Sequence, residues 1–185
     1  MSAAVQPNPR KLDVRAAARD GAVLRGATPL AQFPRLAQES AQPAADAATP
    51  VEWEAGFSVR NPRAAAPQIW LELKARTRLT QTCQRCLGPM SSNLAVDRRF
   101  RFVADETQAA AEDEEAEEDV LALEPRMDLL ALVEDELLME LPLAPRHETC
   151  PTQPRLQAQT ADFQASDAAP NPFAALASLR VKDGA

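Results

Sequence analysis

At 185 residues, with a net charge of −7 and 16 prolines, the chain suits one domain with tails, or one domain plus a small subdomain. Alanine makes up nearly half of its apolar residues and aromatics only 4% of the chain, so a compact core of roughly 100 residues fits better than a globule using every residue. No stretch approaches the ~20 apolar residues that cross a bilayer, no apolar signal core follows the N-terminus, and three cysteines do not make a secreted disulfide framework; the expectation is a cytoplasmic protein.

In chain order, residues 1–27 read as an Ala/Arg-rich N-terminal segment with little periodicity beyond Ala22-Val23-Leu24. Thr28-Pro29 is a helix-start signal, an oxygen-bearing cap followed by proline. Leu30, Phe33 and Leu36 recur at helical spacing, so a helix is expected over about 29–39, shortened or kinked at Pro34. The Ala/Pro stretch 41–50 reads as a loop or linker.

The pattern then changes to period two. Val51, Trp53, Ala55, Phe57 and Val59 alternate with polar or small residues. Ile69, Leu71, Leu73 and Ala75 do the same after the turn signal Asn61-Pro62-Arg63, and Leu94, Val96, Arg98, Phe100 and Phe102 suggest a third strand. Three strands with short connections predict a small antiparallel meander. Cys83–Met90, with Gly88-Pro89, falls at the tip joining the second and third.

Residues 105–119 hold nine carboxylates and no base, which reads as a flexible, solvated loop. A calcium loop is not expected there, since no glycine supplies the turn. Asp128 caps the clearest helix, Leu129 to about Leu141. Its stripe of Leu129, Leu132/Val133, Leu137 and Leu141 is suited to pack on the sheet, and Pro142 ends it. After residue 151 the chain turns Gln/Ala/Pro-rich, with a short tail helix expected from Asn171 through Phe173, Leu176 and Leu179. The fold expected is α+β: a small antiparallel meander packed by one main amphipathic helix, with a flexible acidic loop and a C-terminal tail helix. The organisation expected is an N-terminal segment 1–27, a core 28–150 containing the loop 105–119, and a flexible tail 151–185.

Charge is segregated along the chain. Residues 1–104 carry 15 Lys/Arg against 8 Asp/Glu, whereas residues 105–149 carry 2 against 16. A basic half can engage phosphate while an acidic half keeps the protein soluble; two differently solvated faces are the plainer reading. Arg76, Arg78 and Arg85, with Arg98, Arg99 and Arg101, are the candidate phosphate-contacting residues, a cationic strip at one end of the sheet if the second and third strands pair.

The only histidine and all three cysteines fall into two short pairs, Cys83-Gln-Arg-Cys86 and His147-Glu-Thr-Cys150. Thiolates and a neutral imidazole are the ligands tetrahedral zinc prefers. Three readings stand side by side: a structural Zn2+ site at Cys83, Cys86, His147 and Cys150; a packed knuckle with free thiols; and a redox CxxC. The separation of the pairs exceeds that of ordinary zinc fingers, so only the fold can bring them together. Gly88-Pro89 argues against the helix that a thioredoxin-type CxxC opens.

Three blocks carry a resemblance: Cys83–Pro89 (CQRCLGP), Asp128–Cys150 (DLLALVEDELLMELPLAPRHETC) and Pro170–Arg180 (PNPFAALASLR). Together they closely resemble the bacterial YceD family, the large ribosomal RNA subunit accumulation proteins. The resemblance implies a role in the synthesis, processing or stability of 23S ribosomal RNA. It implies no catalytic reaction, and it brings no catalytic or RNA-contacting residue at a defined position. The expected partner is 23S RNA or its precursor, engaged directly or through large-subunit ribosomal proteins. The alternative is a metal- or thiol-dependent chaperone of such a protein. Nothing in the sequence points to an enzyme: there is no Gly-rich nucleotide loop and no nuclease-type metal cluster. Oligomeric state is not legible in it.

Overall fold

The computed structural model describes residues 7–61, 66–152 and 173. The chain divides into two compact units, 1–152 and 153–185; the first carries all the architecture described here. The expected tail helix lies outside the described residues, Phe173 apart.

Within the first unit the elements are α1 (Val14–Arg19), β1 (Val23–Pro29), a 3-10 turn (Leu30–Gln32), α2 (Pro34–Gln38), α3 (Pro43–Asp46), β2 (Pro50–Arg60), β3 (Gln68–Thr82), β4 (Pro89–Val103), α4 (Glu106–Asp113), β5 (Asp119–Ala122) and α5 (Leu129–Met139). The class is α+β. One sheet runs β1-β2-β3-β4-β5 in space. The expected meander is its centre, with Phe57 opposite Leu71 and Leu71 opposite Phe100. Two strands were not foreseen. β1 adds antiparallel to β2, and β5 adds parallel to β4, so the sheet is mixed. A parallel neighbour needs a crossover connection, and α4 provides it.

Alternation decides which face is buried. In β3, Leu71, Leu73, Ala75, Thr77 and Leu79 are buried and the side chains between them exposed; in β4 Leu94, Val96, Phe100 and Phe102 are buried on the same face. The apolar ones join Val51, Trp53, Ala55 and Phe57 of β2 in one core, capped by Val14 and Ala17 of α1 and by Leu129, Leu130, Val133 and Leu137 of α5. The opposite face of the central strands carries charged and small residues. Leu12 and Met127 tie the N-terminal segment to the start of α5 through two backbone hydrogen bonds of 2.9 and 3.0 Å. None of the helices in the described residues is long and apolar enough to cross a membrane.

Three local expectations are corrected. Thr28-Pro29 does not start a helix. Both residues close the β1–β2 ladder opposite Val51 and Pro50, and Thr28 Oγ1 accepts from Trp53 Nε1 at 3.1 Å instead of capping. The helix begins at Pro34, which is its first residue and not a kink. Because Phe33 has no capping oxygen, Glu134 of α5 supplies one: its Oε1 accepts from the N–H groups of Arg35 (2.7 Å) and Leu36 (3.1 Å).

Residues 41–50 are not simply a linker. They contain α3, whose Asp46 is buried and accepts from Ser40 Oγ (2.7 Å), Thr80 N–H (2.8 Å) and Thr80 Oγ1 (3.0 Å).

The acidic stretch 105–119 is not a loop throughout. Asp105 caps α4 by accepting from Gln108 N–H at 2.9 Å, and the run Ala109–Ala111 favours helix. Ala109 buries against Val103 and Val120. Arg101, its side chain only 11% exposed, donates to Glu112 (2.5 Å) and Glu118 (2.6 Å) and offsets their charge.

Candidate metal centre

The β3–β4 connection forms a tight knuckle. Beyond the last register pair, Thr82 opposite Pro89, Cys83 N–H donates to Gly88 O and Leu87 N–H donates to Cys83 O, both at 2.8 Å. Leu87 holds φ at +60°, a left-handed conformation uncommon for a residue with a side chain. The turn buries Cys83 completely and leaves Cys86 partly exposed. The knuckle is a hairpin turn and not a helix start, so the CxxC lacks the helix N-terminus that activates thioredoxin-type cysteines.

The second pair arrives from the end of α5. Past Pro142, Pro145 O accepts from Gln84 N–H at 2.8 Å, laying the following residues against the knuckle. His147 N–H then faces Cys83 Sγ at 3.5 Å. His147 Nδ1 lies 3.5 Å from Cys86 Sγ, and Cys83 Sγ lies 3.8 Å from Cys150 Sγ. The four ligand atoms all fall within 4.8 Å of one another, the one group of this kind among the described residues.

That geometry suits a tetrahedral ion. Zinc bound by thiolates at about 2.3 Å holds its sulfurs about 3.8 Å apart, the separation of Cys83 and Cys150. A disulfide would need sulfurs about 2.05 Å apart, and all three cysteines are free. The thiols are electrostatically matched to a cation as well. Burial opposes ionisation of Cys83, but the N–H groups of Cys86, His147 and Arg85 outweigh it and lower this thiol to about 5. The Gly88 N–H favours a thiolate at Cys86, yet burial and the neighbouring Cys150 and Cys83 sulfurs push that thiol up. A divalent cation among these sulfurs relieves the repulsion that Cys86 meets from its neighbours. The arrangement is therefore compatible with a structural zinc site.

The six arginines do not share a surface. Arg85 belongs to the knuckle: its Nε donates to Cys150 Sγ at 3.1 Å and its Nη2 to the carbonyls of His147 (2.9 Å) and Glu148 (3.1 Å). Arg98 stands opposite Leu73 on the helix-covered side and pairs with Glu136 and Glu140 of α5 at 3.6 and 3.8 Å. Arg76, Arg78 and Arg99 project from the open face, and Arg101 lies on the same side but nearly buried beneath α4. There Arg76 pairs with Glu52 at 2.5 Å and Arg101 is held by Glu112 and Glu118. Arg78 has no hydrogen bond or ion pair within the described residues, and neither does Arg99.

Sequence reading missed the regularity of that open face. Register aligns Arg25, Glu54, Lys74 and Asp97 in one row across four strands, with Arg25–Glu54 at 2.8 Å and Lys74–Asp97 at 3.2 Å. An open trough of about 780 Å³ crosses the sheet here, floored partly by Ala27 and Ala95. Its walls alternate in sign. The signal was present as charged residues at every second position, Glu52 and Glu54 in β2 and Glu72, Lys74, Arg76 and Arg78 in β3, but pairing them requires the register.

The comparisons with known proteins bear on the same region. A family model described as "Large ribosomal RNA subunit accumulation protein YceD" matches residues 71–180, a span holding both Cys/His pairs. A Haemophilus influenzae protein named "Large ribosomal RNA subunit accumulation protein YceD" is 32% identical over 120 residues, covering 63% of this chain and 69% of its own. No solved structure matches significantly.

Proposed function

The chain belongs to the YceD family, and from that membership we propose that it acts in the accumulation of large-subunit ribosomal RNA, as a non-enzymatic cytoplasmic assembly factor. The observation that carries this reading is the family match across residues 71–180, which spans the knuckle, α5 and the segment that closes on the knuckle. The factor promotes synthesis, processing or stability of 23S RNA. Cys83, Cys86, His147 and Cys150 hold a structural Zn2+ that fastens the β3–β4 turn to the exit of α5. The metal supplies no reaction; it fixes two segments that share no other covalent tie.

Direct contact with RNA would use the cations free to meet phosphate, Arg78 and Arg99 first, with Arg76 able to exchange Glu52 for phosphate. A second reading has its own support. Arg76, Arg85, Arg98 and Arg101 are already engaged by carboxylates, carbonyls or sulfur, and internally paired charges leave little net potential for a polyanion. In that reading the protein chaperones a large-subunit ribosomal protein, and the RNA responds indirectly.

Crosslinking in cells, with mapping of both RNA and protein, separates the two. Crosslinks from 23S precursor to the open sheet face support direct action. Recovery of ribosomal proteins alone, with no RNA at any salt concentration, supports the second reading.

A further inference from the structure

We propose that Arg85 is the outer-sphere clamp of the metal centre: it holds the His147–Cys150 segment in its ligating conformation and neutralises the charge of the loaded site. This rests on the zinc reading above and removes Arg85 from the candidates for RNA contact.

The argument begins with position. Arg85 lies inside the first ligand pair, so the knuckle that aims Cys83 and Cys86 also fixes the root of this side chain. Its guanidinium reaches only the other half of the site, at His147 O, Glu148 O and Cys150 Sγ. Three contacts on a four-residue segment define its path. Beside the sulfur and imidazole contacts of the ligands themselves, the other bonds joining this part of the chain to the knuckle are the N–H of His147 on Cys83 Sγ and, just before the segment, the N–H of Gln84 on Pro145 O. Cys150 is the partly exposed, last ligand, and among the described residues Arg85 is the one cation bonded to any ligand sulfur.

Charge gives the second argument. Three thiolates and a neutral imidazole around one divalent cation leave one net negative charge. One guanidinium beside Cys150 cancels it. Arginine is suited where lysine is not: a planar fork can serve a sulfur and two carbonyls at once, whereas an ammonium is a single strongly hydrated point. The hydrogen bond from Nε, at 3.1 Å, also orients the Cys150 sulfur as a ligand.

A clamp of this kind changes affinity and leaves coordination geometry unaltered. The test is Co2+ titration of the full chain under reducing conditions, following the tetrahedral d–d bands and the thiolate charge-transfer band, with affinity fixed by chelator competition. Arg85→Ala is expected to bind 10–100-fold more weakly than wild type, with an unchanged spectrum. Arg85→Lys, which keeps the charge but not the fork, is expected to fall between the two. Arg25→Ala, whose side chain pairs with Glu54 on the open face, is expected to match wild type. Should Arg85→Ala not fold, as judged by circular dichroism, the Lys variant decides. Wild-type affinity in whichever Arg85 variant folds overturns the clamp and leaves the zinc reading standing. Failure of the wild-type chain to bind Co2+ tetrahedrally overturns both.

Discussion

The sulfurs of Cys83 and Cys150 lie 3.8 Å apart although 67 residues separate them in the chain. The fold bridges that distance by two routes. The β3–β4 hairpin carries Cys83 to the far tip of the sheet, and α5, packed on the same strands, delivers the chain back toward it. Joining these routes through a metal closes a long loop, which removes entropy from the unfolded state.

Zinc should therefore be found at one per chain when the protein is purified without added metal. Closure of a loop this long is worth about 4 kcal/mol in the chain-entropy picture, or roughly 10 °C of melting temperature for a domain near 150 residues. Chelation and Cys83→Ser should each lower the melting temperature by that order in calorimetry. Zinc content near zero, with melting unaffected by chelator, would contradict the assignment.

Glu134 replaces the missing cap of α2. It lies on the core side of α5, only 7% of its side chain exposed, and bonds both Arg35 and Leu36 N–H groups as well as the Arg35 guanidinium. Glu134→Ala strands two backbone donors and should cost on the order of 2 kcal/mol in urea unfolding. Glu134→Gln keeps one acceptor oxygen and should cost less. Equal stability of all three proteins would remove this contact from the account.

Asp46 links stability to pH. Burial raises its carboxyl pKa, but hydrogen bonds from Ser40 and from the backbone and side chain of Thr80 outweigh burial and hold it below the usual carboxylate range. A carboxylate lowered in the folded state stabilises above its unfolded value, about 3.9. That contribution is lost as pH falls through the folded value. The stability gap between wild type and Asp46→Asn should thus be flat from about pH 5 to 8 and shrink below about pH 4. A gap that widens on acidification would show the opposite linkage.

Gly26 faces Trp53 across β1 and β2. A Cβ at position 26 would overlap ring atoms Cζ2 and Cε2 of Trp53 and meet Nε1 at 3.0 Å, in a ring already fixed by its bond to Thr28. Gly26→Ala should cost roughly 1–3 kcal/mol through overpacking and alter the tryptophan fluorescence. An Ala variant as stable as wild type would mean that the ring moves freely.

What could be read from the sequence follows from what local pattern can encode. Strands β2 to β4 were legible because a sheet buried on one side forces apolar residues into every second position, as in Leu71, Leu73 and Ala75. The main helix was legible because Asp128 caps it and leucines recur on one face. Thr28-Pro29 misled because the same dipeptide suits an edge-strand end, and pairing with Val51 and Pro50 decided the outcome. The acidic stretch became α4 because Arg101, distant in sequence pattern but adjacent in the sheet, offsets its charge. The two Cys/His pairs were visible as pairs; their meeting, and the place of Arg85 between them, depends on tertiary structure alone.

The central claim is that this protein sustains accumulation of large-subunit ribosomal RNA, and its most direct test is the ratio of 23S to 16S RNA in cells of its own source depleted of it. The account predicts a fall in that ratio, reversed by the wild-type chain and not by a Cys83→Ser, Cys150→Ser variant. A ratio that stays at its normal value after depletion would contradict it.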